Sequence, residues 1–250
     1  MISKFDYLSL KDQFLDAKPF SHVVIDDFFL EHVANDIAAS FYDHNDLAWT
    51  VSYDNFVEKK KACSHWDKFP APIYSSMFYL CSDNFTTMLS WVTNNVGIKA
   101  DYGLHGGGMH SHSVGGKLNI HKDYSIHPKL PLMRNYNLIV YMTPNWDPSW
   151  GGGLELWSHD EELQQPKECV VTIQNKFNRA VLFDTTQNSW HGLPQALTCP
   201  ENVARRSLAT YYLSEVNNKA ESRQRALYAP YGDQKNNPEI TEFCKKRSGL

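Results

Sequence analysis

Apolar positions along the chain change their period near residue 103. Before that point they fall at helical spacing: Leu30, Val33, Ala34, Ile37, Ala38 and Phe41 recur every three or four residues and predict one helix with a single buried face. Phe85, Met88, Leu89, Val92 and Val96 predict a second from about Asn84 to Val96, with Asn84 or Asp83 able to cap its start and Gly97 to close it. The run HVVIDDFF at 22–29 is β-rich and reads as a short strand ahead of the first helix. Residues 43–76 mix aromatics with charges of both signs, show neither period, and are expected to be irregular.

From Gly103 onward the pattern is one of short β-branched and aromatic runs bounded by Gly, Pro, Asn and Asp: GGKLNIHKD, YNLIVYMT, GLELW, ECVVTIQ, RAVLFDT and RSLATYYL. Six such runs predict an antiparallel barrel or a double-sheet jelly roll, with the N-terminal helices packed outside. The fold class expected is therefore α+β with a mainly β core. Residues 216–250, charged and punctuated by proline, read as a surface extension. One domain over 1–250 accounts for the chain: a helical and mixed support (1–102), the β core (103–215) and the extension. Hydrophobic residues at 42% and aromatics at 13% can fill one sizeable core, and neither a linker nor a repeat divides the chain.

Charge narrows the functional classes. A net charge of −4 and a pI near 6.2 give no footprint for nucleic acid or an anionic membrane. The basic run Lys59, Lys60, Lys61 reads as a solvated loop. The opening MISKFDYLSLKDQF is broken by charges before any apolar run long enough for a signal peptide or membrane span, so the expected location is cytoplasmic. Five scattered cysteines without a C-x-x-C pair argue against a disulfide framework and a thiolate zinc site.

Candidate chemistry centres on LNIHKDYSIH at 118–127. On a strand, residues two apart share a face, so His121 and Asp123 project together while Lys122 points away. H-x-D alone is weak, since the His and Asp content yields about 0.7 matches by chance, and the chain has three. His44/Asp46 and His65/Asp67 lie in polar, non-alternating surroundings and read as surface residues; His121 ends an alternating strand. Seventy residues later, LFDTTQNSWHGLP offers His191 at the close of a loop between two β runs. Two histidines, a carboxylate and open positions form the facial triad of non-haem Fe(II) oxygenases. The next strand opens with Arg205 and Arg206, and guanidinium binds carboxylate through two parallel hydrogen bonds.

The order H-x-D, strand, GGGLELW turn, lone His, then Arg resembles the 2-oxoglutarate and Fe(II)-dependent dioxygenases, and within them the prolyl 4-hydroxylase-like branch of bacteria and viruses. The resemblance covers roughly 103–215, and KPFSHVVIDDFFLEHVANDI resembles that branch's helical lead-in. It implies a double-stranded β-helix (jelly roll), with His121, Asp123 and His191 as iron ligands and a basic residue on the last core strand for the far carboxylate of 2-oxoglutarate. The branch's pattern selects Arg206, with Thr210 four positions on and Tyr212 six on; Arg205 pairs instead with Ser207 in an R-x-S arrangement. Only one can point inward, and Arg206 is the one expected. The gap from His191 to Arg206 is longer than is usual in the branch. Tyr141 matches a tyrosine whose hydroxyl helps hold the same carboxylate, or else is a core aromatic. His127 is expected to line the entrance, and His110 either to stabilise a turn or to contact the substrate.

The resemblance further implies Fe(II), 2-oxoglutarate and O2, with ascorbate as an accessory, and hydroxylation of an unactivated C–H bond, foremost that of a prolyl residue in a peptide or protein. Residues 43–76 and 125–134 would form the rim, where Tyr53, Trp49, Trp66 and Trp150 could cradle a ring. Two rivals stand beside this reading: the same chemistry on a small metabolite or sugar, and a metal-stabilised jelly-roll binding module without turnover. A zinc hydrolase lacks an obvious general base.

Overall fold

A computed structural model describes residues 1–249. Its core is antiparallel β-structure in two halves. One half runs in the order β1 (His22–Ile25), β10 (Ala180–Asp184), β7 (Leu132–Tyr141), β12 (Arg205–Glu215), β5 (Gly108–His112); the other runs β6 (Lys117–Lys122), β11 (Trp190–Leu193), β8 (Leu154–Asp160), β9 (Gln165–Ile173). β3 (Glu58–Cys63) joins them, pairing β5 through Lys61–Cys63 and β6 through Glu58 and Lys59. β2 (Val51–Asp54), β4 (Lys99–Ala100) and β13 (Leu227–Tyr228) flank β3, β12 and β6.

The six β runs all fall on strands, and the halves form the jelly roll that the turn-punctuated pattern predicts. Tyr141, Val181 and Phe183 from one half meet Leu154, Leu156 and Ile173 from the other, closing the interior at one end with apolar side chains. The opposite face of β7, β10 and β12 carries Leu138, Val140, Leu182, Leu208 and Tyr212. Against it pack α1 (Tyr7–Asp16), α2 (Glu31–Ser40), α3 (Ala71–Leu80) and α4 (Asp83–Thr93) through Phe14, Ile37, Ile73, Met77, Phe85 and Leu89. Each such buried side chain contributes about 1.5–3 kcal/mol, so this layer fixes the strands that carry the site.

Several local expectations are corrected. The second helix starts under the cap of Ser82, whose Oγ accepts from the Phe85 amide, and stops at Asn94 in the left-handed conformation, leaving Val96 87% exposed. Residues 43–76 contain the β2–β3 hairpin and α3, and the lysine run is strand β3 rather than a solvated loop. The C-terminal region is tied to the core: β13 pairs β6, and α5 (Pro238–Ser248) buries Ile240 and Cys244 against Val57. Among the described residues, no helix is long and apolar enough to cross a membrane.

Candidate metal centre and its cavity

β6 and β11 pair so that His121 and His191 are direct partners, and a bulge follows before Leu193 pairs Leu118. The strands approach closely at Gly192, where a Cβ would lie 2.8 Å from the carbonyl oxygens of Leu118 and Asn119. Only glycine allows that approach. Asp123 follows directly on β6, on the same face as His121.

The three side chains converge, each offering a ligand atom within 4.8 Å of the others. All are buried, at 5%, 6% and 3% exposure for His121, Asp123 and His191. The Nδ1 atoms of His121 and His191 lie 2.9 Å and 2.8 Å from the carbonyl oxygens of Asn119 and Ser189. A carbonyl only accepts, so each Nδ1 carries the proton and each Nε2 presents a lone pair inward. The Nε2 atoms sit 3.8 Å and 3.7 Å from Asp123 Oδ1 and Oδ2.

The two oxygens of Asp123 differ. Oδ1 accepts from the Tyr211 hydroxyl at 3.3 Å and lies 3.5 Å from Arg134 Nη1. Oδ2 is buried with no hydrogen-bond partner among the described residues. Burial pushes the Asp123 carboxyl up, but His191, Arg134 and His121 outweigh it and hold it below its ordinary value. Burial, reinforced by neighbouring His191, pushes His121 down to about 3, and burial also lowers His191. An ionised carboxylate with an orphaned oxygen facing two neutral imidazole lone pairs is an unfavourable cluster by itself and a fitting donor set for a divalent cation.

Arg134 and Tyr211 were not legible as site residues. The guanidinium of Arg134 is buried, lies 3.4 Å and 3.3 Å from the ring centres of Tyr124 and Tyr211, and donates to the His105 carbonyl at 2.6 Å. The available signal was that Arg134 is the one charged residue in the stretch LMRNYNLIVY that forms β7.

Strand β12 corrects the register expected of its arginines. Arg205, Ser207, Ala209 and Tyr211 line a cavity of about 540 Å³ that opens onto the cluster. Arg205 is 2% exposed; its Nε donates to the Gly152 carbonyl at 2.8 Å and its guanidinium carbon lies 4.8 Å from the Tyr141 ring centre. Gly152, at φ +78°, leaves room for it, because a Cβ there would come within 2.9 Å of Arg205 Cδ. The Tyr141 hydroxyl is buried without a hydrogen-bond partner among the described residues. Arg206 points away from the cavity: Nη2 lies 3.6 Å from exposed Asp43, and the guanidinium sits over Phe41. Thr210 and Tyr212 share its phase, Thr210 beside Cys81 and Tyr212 donating to the Leu80 carbonyl at 3.0 Å, so both belong to the helix layer.

The remaining candidates are placed as follows. His127 does not line the entrance; it is buried with Nε2 3.4 Å from Asp101 Oδ2. His110 and His112 lie on β5 and face the cavity, so His110 is no turn residue. Burial lowers both, His110 to about 3, and both ring nitrogens of His112 lack partners among the described residues. Tyr53 and exposed His65 reach the cavity mouth. His44 bonds Ser111 at 2.8 Å instead. Trp49 packs on Tyr42, Trp66 on Phe69 and Tyr74, and Trp150 on Trp146, all outside the cavity lining. Tyr228, from the region expected to be an extension, pairs with His121 across β13 and β6 and stacks on its ring at 5.2 Å.

Residues 107–213 match the 2OG-Fe(II) oxygenase superfamily. Over 79 residues, 32% of this chain, the sequence is 33% identical to the prolyl 3-hydroxylase OGFOD1 of Mus musculus; the match spans 14% of that protein's length. Two solved structures share the fold. A prolyl hydroxylase from Trichoplax adhaerens, in complex with a hypoxia inducible factor oxygen degradation domain peptide fragment, aligns with TM-score 0.53 and 17% identity over 83% of this chain and 90% of that one. A Pseudomonas putida prolyl-4-hydroxylase aligns with TM-score 0.54 and 12% identity over 82% and 99%.

Proposed function

We propose that this chain, whose residues 107–213 match the 2OG-Fe(II) oxygenase superfamily, is an Fe(II)- and 2-oxoglutarate-dependent dioxygenase hydroxylating a prolyl residue in a peptide or protein. The observation that carries the reading is the convergence of His121, Asp123 and His191 in a cavity that also holds a buried arginine. His121 Nε2, Asp123 Oδ2 and His191 Nε2 would hold the iron. Arg205, with the Tyr141 hydroxyl beside it, would hold the far carboxylate of 2-oxoglutarate, in place of the Arg206 expected from sequence.

When bound, iron and 2-oxoglutarate supply the oxidising power: one atom of O2 enters the substrate C–H bond as hydroxyl and the other enters succinate, with release of carbon dioxide. The chain's own groups do the rest. The carbonyls of Asn119 and Ser189 keep both imidazoles in the tautomer that can ligate. Tyr211 and Arg134 engage one oxygen of Asp123 and leave the other free. Ile139, Leu154 and Leu193 give the cavity apolar walls that limit water near the reacting centre.

The prolyl assignment is supported by the OGFOD1 match and by the two prolyl hydroxylase folds. The test is to incubate the purified chain with Fe(II), ascorbate and 2-oxoglutarate, offering proline-containing peptides in parallel with a panel of free amino acids and sugars. Succinate formed together with a peptide product heavier by one oxygen atom supports the reading. Coupled turnover only with a small metabolite would keep the chemistry and replace the substrate, and no succinate with any substrate would favour a binding module.

A further inference from the structure

Strand β3, paired with β2 in a hairpin, contributes two charged side chains, Glu58 and Lys60, to the cavity lining. Glu58 has a side chain only 2% exposed. One of its oxygens is ion-paired with Arg247 of α5, and the other lies 3.6 Å from the ammonium of Lys60. Lys60 is 14% exposed, and this shared carboxylate is its ion-pair partner among the described residues, at a separation longer than a hydrogen bond. One carboxylate between two cations leaves one positive charge unanswered. The Tyr53 ring braces both cations, 5.6 Å from each. Lys60 lines the same cavity as His110, His112, His121 and His191.

The balance of the whole cavity points the same way. Its lining holds five cationic side chains, Lys60, Lys129, Arg134, Arg205 and Arg247, against two carboxylates, Glu58 and Asp123. The chain as a whole carries −4. A divalent cation and a dicarboxylate cancel each other's charge, so loading the site leaves this positive excess intact. Asp123 is answered by Arg134, Glu58 by Arg247, and Arg205 serves the cosubstrate. Lys60 and the exposed rim residue Lys129 remain, and of the two Lys60 is the more enclosed, 14% exposed within the cavity lining.

We infer that Lys60, positioned by Glu58 and Arg247, selects a peptide carrying a carboxylate side chain beside the hydroxylated proline. This assignment rests on the prolyl hydroxylase reading above. It makes the β2–β3 hairpin and the C-terminal helix, not the jelly-roll core alone, the determinants of substrate choice. A partly desolvated ammonium binds carboxylate strongly and rejects a cation.

The test uses the full chain loaded with Ni(II), an unreactive substitute for iron, and 2-oxoglutarate. The acetylated peptides Glu-Glu-Pro-Glu-Glu and Lys-Lys-Pro-Lys-Lys are titrated into it calorimetrically. The acidic peptide is expected to bind at least about tenfold more tightly than the basic one. Lys60→Gln should lose about tenfold in affinity for the acidic peptide while keeping its 2-oxoglutarate affinity. Lys60→Arg should restore acidic-peptide binding, and Lys61→Gln, on the opposite face of the strand, should leave it unchanged. Equal affinity for the two peptides, binding of neither, or a Lys60→Gln defect confined to 2-oxoglutarate overturns the assignment. A loaded chain that takes up no 2-oxoglutarate contradicts the dioxygenase reading itself, and the assignment falls with it.

Discussion

His191 lies directly opposite His121 across the antiparallel pair β6–β11, their rings 4.4 Å apart, although 70 residues separate them along the chain. Strand register, rather than a loop, holds the candidate ligands together. Losing any one donor should therefore cost metal affinity without dismantling the fold. His121→Ala, Asp123→Ala and His191→Ala are each expected to lower Mn(II) affinity by at least about a hundredfold and to abolish turnover. His44→Ala, whose ring bonds Ser111 away from the cluster, should leave Mn(II) affinity unchanged. Calorimetric titration of the metal-free proteins measures both.

The two adjacent arginines should separate cleanly. Arg205 is buried in the cavity beside Tyr141, and Arg206 pairs with Asp43 at the surface. Arg205→Ala should raise the 2-oxoglutarate Kd by about a hundredfold and Tyr141→Phe by about five- to tenfold, from the ordinary worth of charged and neutral hydrogen bonds. Arg206→Ala should change it by less than about twofold. An Arg206→Ala defect as large as that of Arg205→Ala would show that the far carboxylate is held elsewhere.

That correction shows how much of the site was legible in the sequence. His121 and Asp123 stood out because they share one face at the end of an alternating strand, and His191 because it offers a third donor at the close of a loop between two β runs. The phase of β12 did not stand out, because that strand is buried on both faces: Arg205, Ser207, Ala209 and Tyr211 face the cavity while Leu208, Thr210 and Tyr212 face the helices. With no solvent face, alternation of polarity carries no register. The lysine run on β3 misled for a related reason, since Lys60 enters the cavity while its neighbours point the other way. The role of Tyr228 and Arg247 depends on the pairing of β13 with β6 and on α5 docking near Val57, neither of which leaves a local pattern.

Arg134 is expected to act through Asp123. It is clamped between two tyrosine rings and lies 3.5 Å from Oδ1, so it fixes which carboxylate oxygen is free. Arg134→Met should weaken Mn(II) binding by about ten- to a hundredfold while leaving all three candidate ligands in place. Tyr211→Phe, which removes one hydrogen bond to the same oxygen, should cause a smaller loss. Unchanged Mn(II) affinity in folded Arg134→Met would assign the residue to packing alone.

The pH dependence of stability follows from the β5 histidines. Burial holds His110 at about 3 and His112 well below 6.5 in the folded chain. Above 6.5 both are neutral, folded or unfolded, and stability is complete in this respect. As pH falls below 6.5 the unfolded chain takes up protons that the folded chain refuses, so stability declines toward the folded values. Each buried histidine steepens that decline by up to about 1.4 kcal/mol per pH unit. Urea unfolding of the metal-free protein should show it, and His112→Gln should reduce the slope by about one proton. An unaltered slope would mean that His112 is protonated in the folded state.

One arrangement is central to the proposed chemistry: a single cation held by His121, Asp123 and His191, with 2-oxoglutarate reaching from it to Arg205. Crystals of the chain grown without oxygen and soaked with Mn(II) and 2-oxoglutarate test it most directly. The expected result is an anomalous peak between the two Nε2 atoms and Asp123 Oδ2, with the far carboxylate of the cosubstrate on the Arg205 guanidinium. A metal bound elsewhere, or 2-oxoglutarate bound away from both the cluster and Arg205, would contradict it.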